Sequence, residues 1–385
     1  MIKGVNLGNW LVLEKWMSPA LFAETAAGDE TQLCTDLAGV RIEERLRVHR
    51  DSYITERDFA YLANHGFDAV RLPVPYFVFG EQPPFVGCVE YVDRALDWAE
   101  AYGIDVLIEL HTVPDSQNGF DNGGLCGVCK WHKNPDHVEF ALTVLERLTA
   151  RYAGRAAFWG IGVLNEPVSP ELWQTFDIPS RYPPRDPEYA RGSEGVPTEF
   201  LKRFYREAYR RIRSHSTEVA VVFHDGFRLH EWGDYFSRSG FERFFVDTHL
   251  YLMMLTFTAG DQELDQYLDH VRTEFQPIVR EKSAQMPLLV GEWCLNPMST
   301  SIAGLSPAQR KNYFRSIAEA QLEAWNSAAG WFFWSYKLLT DGPAADGWDL
   351  GKAIELGYFP DDVRRTGSKA GAEVAGGSPR LRRHY

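Results

Sequence analysis

The chain has 385 residues and a formal net charge of −13, with 45% hydrophobic and 24% charged residues. This composition supports a large buried core and excludes a disordered chain. The acidity excludes a basic nucleic-acid binder and a protein drawn to anionic membranes, and no apolar run of about 18 residues predicts a membrane span.

Short, β-branched-rich apolar runs recur along the chain. Strands are predicted at Lys3–Leu7, Ala69–Val74, Asp105–His111, Phe158–Leu164, Val219–Asp225, Phe244–Leu250, Pro287–Glu292 and Gly330–Tyr336. Amphipathic segments between them predict helices at Thr55–His65, Tyr91–Tyr102, Pro135–Tyr152, Glu199–His215, Asp261–Arg280 and Pro307–Trp325. Strand–helix alternation implies a parallel sheet, and eight repeats imply closure into a single (β/α)8 TIM barrel over residues 1–366. No Gly-rich dinucleotide fingerprint follows the first strand, which argues against a Rossmann sheet. Two long connections, Asp115–His132 and Trp173–Pro197, are expected to shape the pocket. The tail Gly367–Tyr385, rich in Gly, Ser, Ala and Arg, is expected to be poorly ordered.

There are five cysteines, Cys34, Cys88, Cys126, Cys129 and Cys294. An odd count argues against a disulfide framework. No charged, apolar and cleavable leader precedes the first strand, so a cytoplasmic protein is expected. Cys126 and Cys129 form a CxxC with His132 nearby. A structural zinc site usually needs two such pairs, so free thiols in a site-shaping loop are the favoured reading and no metal is expected.

In a barrel the C-terminal ends of all strands open on one face, so residues distant in sequence converge there. Arg71 lies in the second predicted strand, His111 ends the third, and Asn165-Glu166-Pro167 ends the fourth. His249 and Tyr251 end the sixth, Glu292 the seventh, and Trp334 lies late in the eighth. Two carboxylates in one cavity are what glycoside hydrolysis requires: one donates a proton to the leaving oxygen, the other attacks the anomeric carbon or activates water. Arg71 would hold one carboxylate ionised, Tyr251 would donate to it, Asn165 would bond a sugar hydroxyl, and Trp334 would floor the ring.

The motif Leu164-Asn165-Glu166-Pro167, with Gly291-Glu292-Trp293 after an apolar strand, resembles glycoside hydrolase family 5 of clan A. The opening Gly4–Glu14 and the segment Ser116–Gly124 resemble its exo-β-1,3-glucanase branch. The resemblance runs from Gly4 to about Trp334 and matches Arg71, His111, Asn165, Glu166, His249, Tyr251, Glu292 and Trp334. It implies a retaining mechanism without metal or organic cofactor, with Glu166 as acid/base and Glu292 as nucleophile. The acid must keep its proton until the first step, while cationic and hydrogen-bonding neighbours should lower the pKa of the nucleophile. Glu14, Trp16, Gln117, Asn118 and Asp121 are expected to line the pocket for the non-reducing end. Leu13–Met17 and the CxxC loop are similar to a bacterial branch of β-mannosidases acting on mannosyl-β-1,4-N-acetylglucosamine. An exo-acting β-mannosidase on short imported oligosaccharides is therefore the first reading, and an exo-β-1,3-glucosidase the alternative. A non-catalytic carbohydrate-binding barrel would be expected to lack one carboxylate or its support, and both are present.

Overall fold

The structure, a computed structural model, describes residues 1–342, 345–361 and 363–365. The expected tail, and residue 366 at the end of the expected barrel domain, lie outside the described residues. Eight parallel strands close in chain order: β1 (Ile2–Asn6), β2 (Ala69–Val74), β3 (Asp105–Leu110), β4 (Phe158–Gly162), β5 (Ala220–His224), β6 (Phe244–His249), β7 (Leu288–Glu292) and β8 (Gly330–Phe333). β1 joins the ring by pairing with both β2 and β8. Each observed strand falls within a residue or two of the expected bounds except β8, which ends three residues early; β4 ends two early. In both, the pairing stops early and the chain continues as loop into Asn165-Glu166 and Trp334.

Alternation along each strand sorts side chains to the two sides of the wall. Val5, Val70, Leu72, Val106, Ile108, Val221 and Val290 face outward into the main core beneath the helices. Ala69, Leu107, Val222, Leu289 and Phe332 face inward and make a small apolar cluster inside the barrel. Two residues further along several strands the inward positions become polar and fully buried: Arg71, Glu109, His224 and Asp247, with Asn6 beside them on β1. Inward glycines give these side chains room. A Cβ at Gly162 would run into Glu109, and one at Gly291 into the Asp247 carboxylate.

The β6–β7 register shifts at one point: Thr248 faces Val290, but His249 faces Glu292. Gly291 is the extra residue. From inward Leu289, strict alternation would aim Glu292 at the helices; the irregularity turns it back into the barrel.

Helices surround the barrel, several opened by short polar caps. Thr55 and Asp58 form a capping box for Glu56–Asn64, Asn134 caps Pro135–Tyr152, and Ser306 with Gln309 caps Pro307–Ala324. The expected Asp261–Arg280 helix is Leu264–His270 running through one π turn, Val271–Phe275, into Gln276–Ser283. The β1–β2 connection also holds two helices with no expectation attached, Glu30–Asp36 and Val40–Tyr53. They build a separate small core from Leu13, Phe22, Leu33, Cys34, Leu37, Ile42 and Leu46. Among the described residues no helix is long and apolar enough to cross a membrane.

Candidate active site

Glu166 sits four residues beyond β4, 4% exposed, with a left-handed backbone at φ 46°. Its Oε1 lies 2.7 Å from Nδ1 of His249, and its Oε2 accepts a 2.8 Å bond from the amide of Asn122. Glu292 ends β7 and is 3% exposed. Arg71 donates to its Oε1 over 2.7 Å, and Tyr251 donates to its Oε2 over 2.8 Å. The same Nδ1 of His249 is 3.4 Å from Glu292 Oε2. Two carboxylate oxygens at 2.7 and 3.4 Å from one nitrogen are at most about 6.1 Å apart. That ceiling on one oxygen of each carboxyl admits the roughly 5–5.5 Å of retaining pairs.

Arg71 is the hub beneath the pair. Besides Glu292 it donates to Oδ1 of Asn6 at 2.7 Å and Oδ1 of Asn165 at 2.8 Å, and it is ion-paired with Glu109. Because Arg71 occupies the Asn165 carbonyl, the Asn165 amide nitrogen turns away from it, 3.3 Å from Nε2 of His111. The His111 ring lies nearly parallel to Trp334, 8° apart with centroids at 5.8 Å. Trp334 can lie close to the β1 loop because Gly8 carries no Cβ, which would strike the indole.

Charge follows from these contacts. Burial alone would push the His249 imidazolium to lose its proton, but the Glu292 and Asp247 carboxylates outweigh it and raise its pKa to about 10. His111, buried beside Arg71 and His249, is held well below the usual range and is neutral. The Glu292 carboxyl differs from expectation. Burial raises it above its ordinary value, and His249, Arg71 and Tyr251 offset that cost without reversing it.

The expected pocket residues divide into two groups. Glu14 is buried, with one oxygen accepting from the Trp16 indole at 2.8 Å and the other unpartnered among the described residues. Burial and the neighbouring Asp121 raise its pKa well above the ordinary value; burial first, then nearby acids, pushes Asp121 up to about 6. Glu14 feels the charge of both Glu166 and Glu292, Asp121 that of Glu166, and Trp16 is joined to them through its bond to Glu14. Gln117 and Asn118 are fully buried, and their amide nitrogens bond groups of the surrounding loops, while Oε1 of Gln117 has no partner among the described residues. Gln117 clamps the backbone carbonyls of His111 and Asn165 at 2.9 and 2.8 Å, tying the ends of β3 and β4. Asn118 bonds the Phe120 amide and the side chain of Asn122, and so holds the Asn122 amide toward Glu166.

Several participants were not anticipated. Asn122 lies inside the quoted Ser116–Gly124 segment, where an asparagine among glycines reads as a turn residue. Glu109 and Asp247 each precede a noted histidine by two, so strand periodicity alone puts them on the same inward face. Trp348 packs against Trp16 at 5.2 Å and Tyr251 at 5.7 Å, from a loop beyond β8 with no local signal.

The possible metal ligands fit poorly. Among the described residues, Glu166, His224 and His249 are the ones whose ligand atoms gather within 4.8 Å. His224 spends Nδ1 on the Gly226 amide at 2.8 Å, and His249 is held as a cation. This donor set suits a hydrogen-bonded acid. Cys126, Cys129 and His132 do not form such a group, and all five cysteines are buried and unbridged. Burial pushes the Cys126 and Cys129 thiols above their usual range, as expected of inert structural thiols.

Residues 26–337 match the family model described as cellulase, glycosyl hydrolase family 5. The chain belongs to glycosyl hydrolase family 5. It is 33% identical over 401 residues to a probable glucan 1,3-beta-glucosidase A of Aspergillus terreus, covering 94% of this chain and 88% of that one. A glucan 1,3-beta-glucosidase of Blumeria graminis is 30% identical over 415 residues, with 96% and 89% covered. A rutinosidase structure from Aspergillus niger superposes with a TM-score of 0.73 at 22% identity, covering 93% of this chain and 97% of that one, a likeness of fold. As a family 5 member the protein is a retaining glycoside hydrolase, and its substrates are oligosaccharides or glycosides.

Proposed function

We propose that the protein is an exo-acting β-1,3-glucosidase that removes terminal glucose by double displacement, with Glu292 as nucleophile and Glu166 as acid/base. The observation that carries the assignment is the division of partners between the two carboxylates. Glu292 has a guanidinium on one oxygen and a phenol on the other, which favours the ionised, aligned form that attacks. Glu166 sits between His249 and the Asn122 amide, one partner on each oxygen.

Glucosylation begins as Glu292 attacks the anomeric carbon while Glu166 protonates the glycosidic oxygen. Tyr251 and Arg71 follow the carboxylate as it becomes an ester and recover it when water, activated by the now ionised Glu166, releases the sugar. The Asn165 amide is placed to donate to the hydroxyl next to the anomeric carbon, and Trp334 to floor the ring. Glu14 and Asp121 offer carboxyl oxygens, and Trp16 a ring face, to one terminal sugar, which supports exo action.

The sugar rests on the curated relatives, whose names carry glucan 1,3-beta-glucosidase activity; they favour the glucoside reading over the mannoside one. The test is a panel of nitrophenyl β-glucoside and β-mannoside, β-1,3-linked glucose oligomers and mannosyl-β-1,4-N-acetylglucosamine, with products identified. Glucose released singly from the β-1,3 oligomers is the expected result. Cleavage of the mannosides alone, or internal cuts in long oligomers, would overturn the proposal.

A further inference from the structure

Asp247 is a buried carboxylate that the mechanism above does not use. It is 1% exposed, and among the described residues neither of its oxygens takes a hydrogen bond. A buried charge without partners is costly, so something nearby must compensate it. Two cationic nitrogens are near: Nε2 of His249 at 3.5 Å and Nε of Arg71 at 3.8 Å from Oδ2. Asp247 and His249 are two apart on β6 and share its inward face. The skipped Gly291 leaves the space that the Asp247 carboxylate fills.

His249 is the group common to both glutamates, at 2.7 Å from Glu166 and 3.4 Å from Glu292 through one nitrogen. Its opposite nitrogen is the one that faces Asp247. We infer that Asp247 is a positioning residue that keeps His249 an imidazolium, with Nε2–H directed at Asp247 and Nδ1–H directed at Glu166, so that the carboxylate left when Glu166 gives up its proton is met by a full positive charge. The inference rests on Glu166 being the acid. The proton on Glu166 goes to the leaving oxygen, the glycosidic bond breaks, and Glu166 becomes an anion paired with His249, which keeps both of its own protons. In the second step Glu166 takes a proton from water and the pair returns to its starting charge.

Other groups bear on His249 from every side. Arg71 on β2 opposes its charge, while His111 after β3 and His224 on β5 are kept neutral by burial and by the cations beside them. Glu166 after β4, Asp247 on its own strand and Glu292 on β7 favour it, as does Asp225 after β5. Asp247 differs from both glutamates in forming and breaking no bond to sugar or proton in the two steps, so its contact with His249 is the same at each.

The experiment compares Asp247→Asn with wild type on two substrates, an alkyl β-glucoside with a poor leaving group and 2,4-dinitrophenyl β-glucoside, which departs without acid help. The amide keeps the shape and loses the charge. The expected result is a fall of roughly tenfold or more in kcat/KM on the alkyl glucoside, with a basic limb moved to lower pH, and little change on the dinitrophenyl substrate. An equal loss on both substrates, or unchanged profiles on both, would overturn the inference. Nitrogen NMR of His249 in the wild-type enzyme at pH 7 tests it without a variant: an imidazolium is expected, and a neutral ring refutes it. Glu166→Gln is run in parallel. If it cleaves the alkyl glucoside at the wild-type rate, the acid assignment itself fails. If it is inactive there while Asp247→Asn is unaffected, only the role of Asp247 fails.

Discussion

The Tyr251 phenol donates to Oε2 of Glu292 over 2.8 Å, on the oxygen opposite to the one Arg71 holds. The two donors restrain the carboxylate in rotation. Burial favours its protonated form, so each donor also works against that tendency.

Tyr251→Phe is expected to lower kcat/KM roughly 10- to 100-fold with folding intact, the effect of losing one hydrogen bond to a charged group at about 1.5–3 kcal/mol. Glu292→Gln is expected to abolish turnover. Steady-state kinetics on nitrophenyl β-glucoside checks both, and wild-type rates in Glu292→Gln would remove it as nucleophile.

The first sugar released should be the β-anomer. Family membership implies retention, and a common contact on His249 keeps Glu166 Oε1 and Glu292 Oε2 within about 6.1 Å, a span that admits a retaining pair. Proton NMR recorded during the first minutes of hydrolysis distinguishes the outcomes, and initial α-product would contradict retention.

Gly291→Ala should destabilise the fold by roughly 1–3 kcal/mol, because the new methyl would collide with the Asp247 carboxylate. Activity should fall further than stability, since relief of the clash displaces Asp247 or Glu292. Thermal denaturation and kcat/KM on the same preparation provide the comparison.

Glu30 gives a pH signature remote from the glutamate pair. It is 1% exposed, one oxygen accepts the Leu13 amide at 3.1 Å, and burial raises its carboxyl to about 7. A folded pKa above the unfolded one means the native state binds the proton more tightly, so stability falls as pH rises from about 4 to about 7. Glu30→Gln should remove that loss and unfold at higher denaturant than wild type above pH 7, by at most about 3 kcal/mol. Parallel unfolding curves for the two proteins across this range would contradict it.

Much of the barrel was readable from the chain because each strand is a short β-branched run and the longer helices are amphipathic or start with a polar cap. Glu30–Asp36 and Val40–Tyr53 escaped that reading. Val40–Tyr53 starts at Gly39 without a side-chain cap and is crowded with charge, and its apolar residues pair with Leu13 and Phe22, distant in kind from any barrel strand. Arg71, His111, Asn165, Glu166, His249, Tyr251, Glu292 and Trp334 were nameable because strand ends converge. Gln117 and Asn118 were nameable, but the groups their amides bond were not, since an amide's partner depends on which groups the fold leaves open beside it.

By itself the sequence determined the periodicities, and with them the number of strands, their inward faces and the residues that end them. Those are local properties, set by alternation along a few residues. Tertiary structure decided which groups meet. Glu292 faces Glu166 because the chain skips Gly291 against β6, and His249 is charged because Asp247 and Glu292 are packed beside it away from water. Register between strands and desolvation in a shared interior depend on neighbours far apart in the chain, so no segment carries them alone.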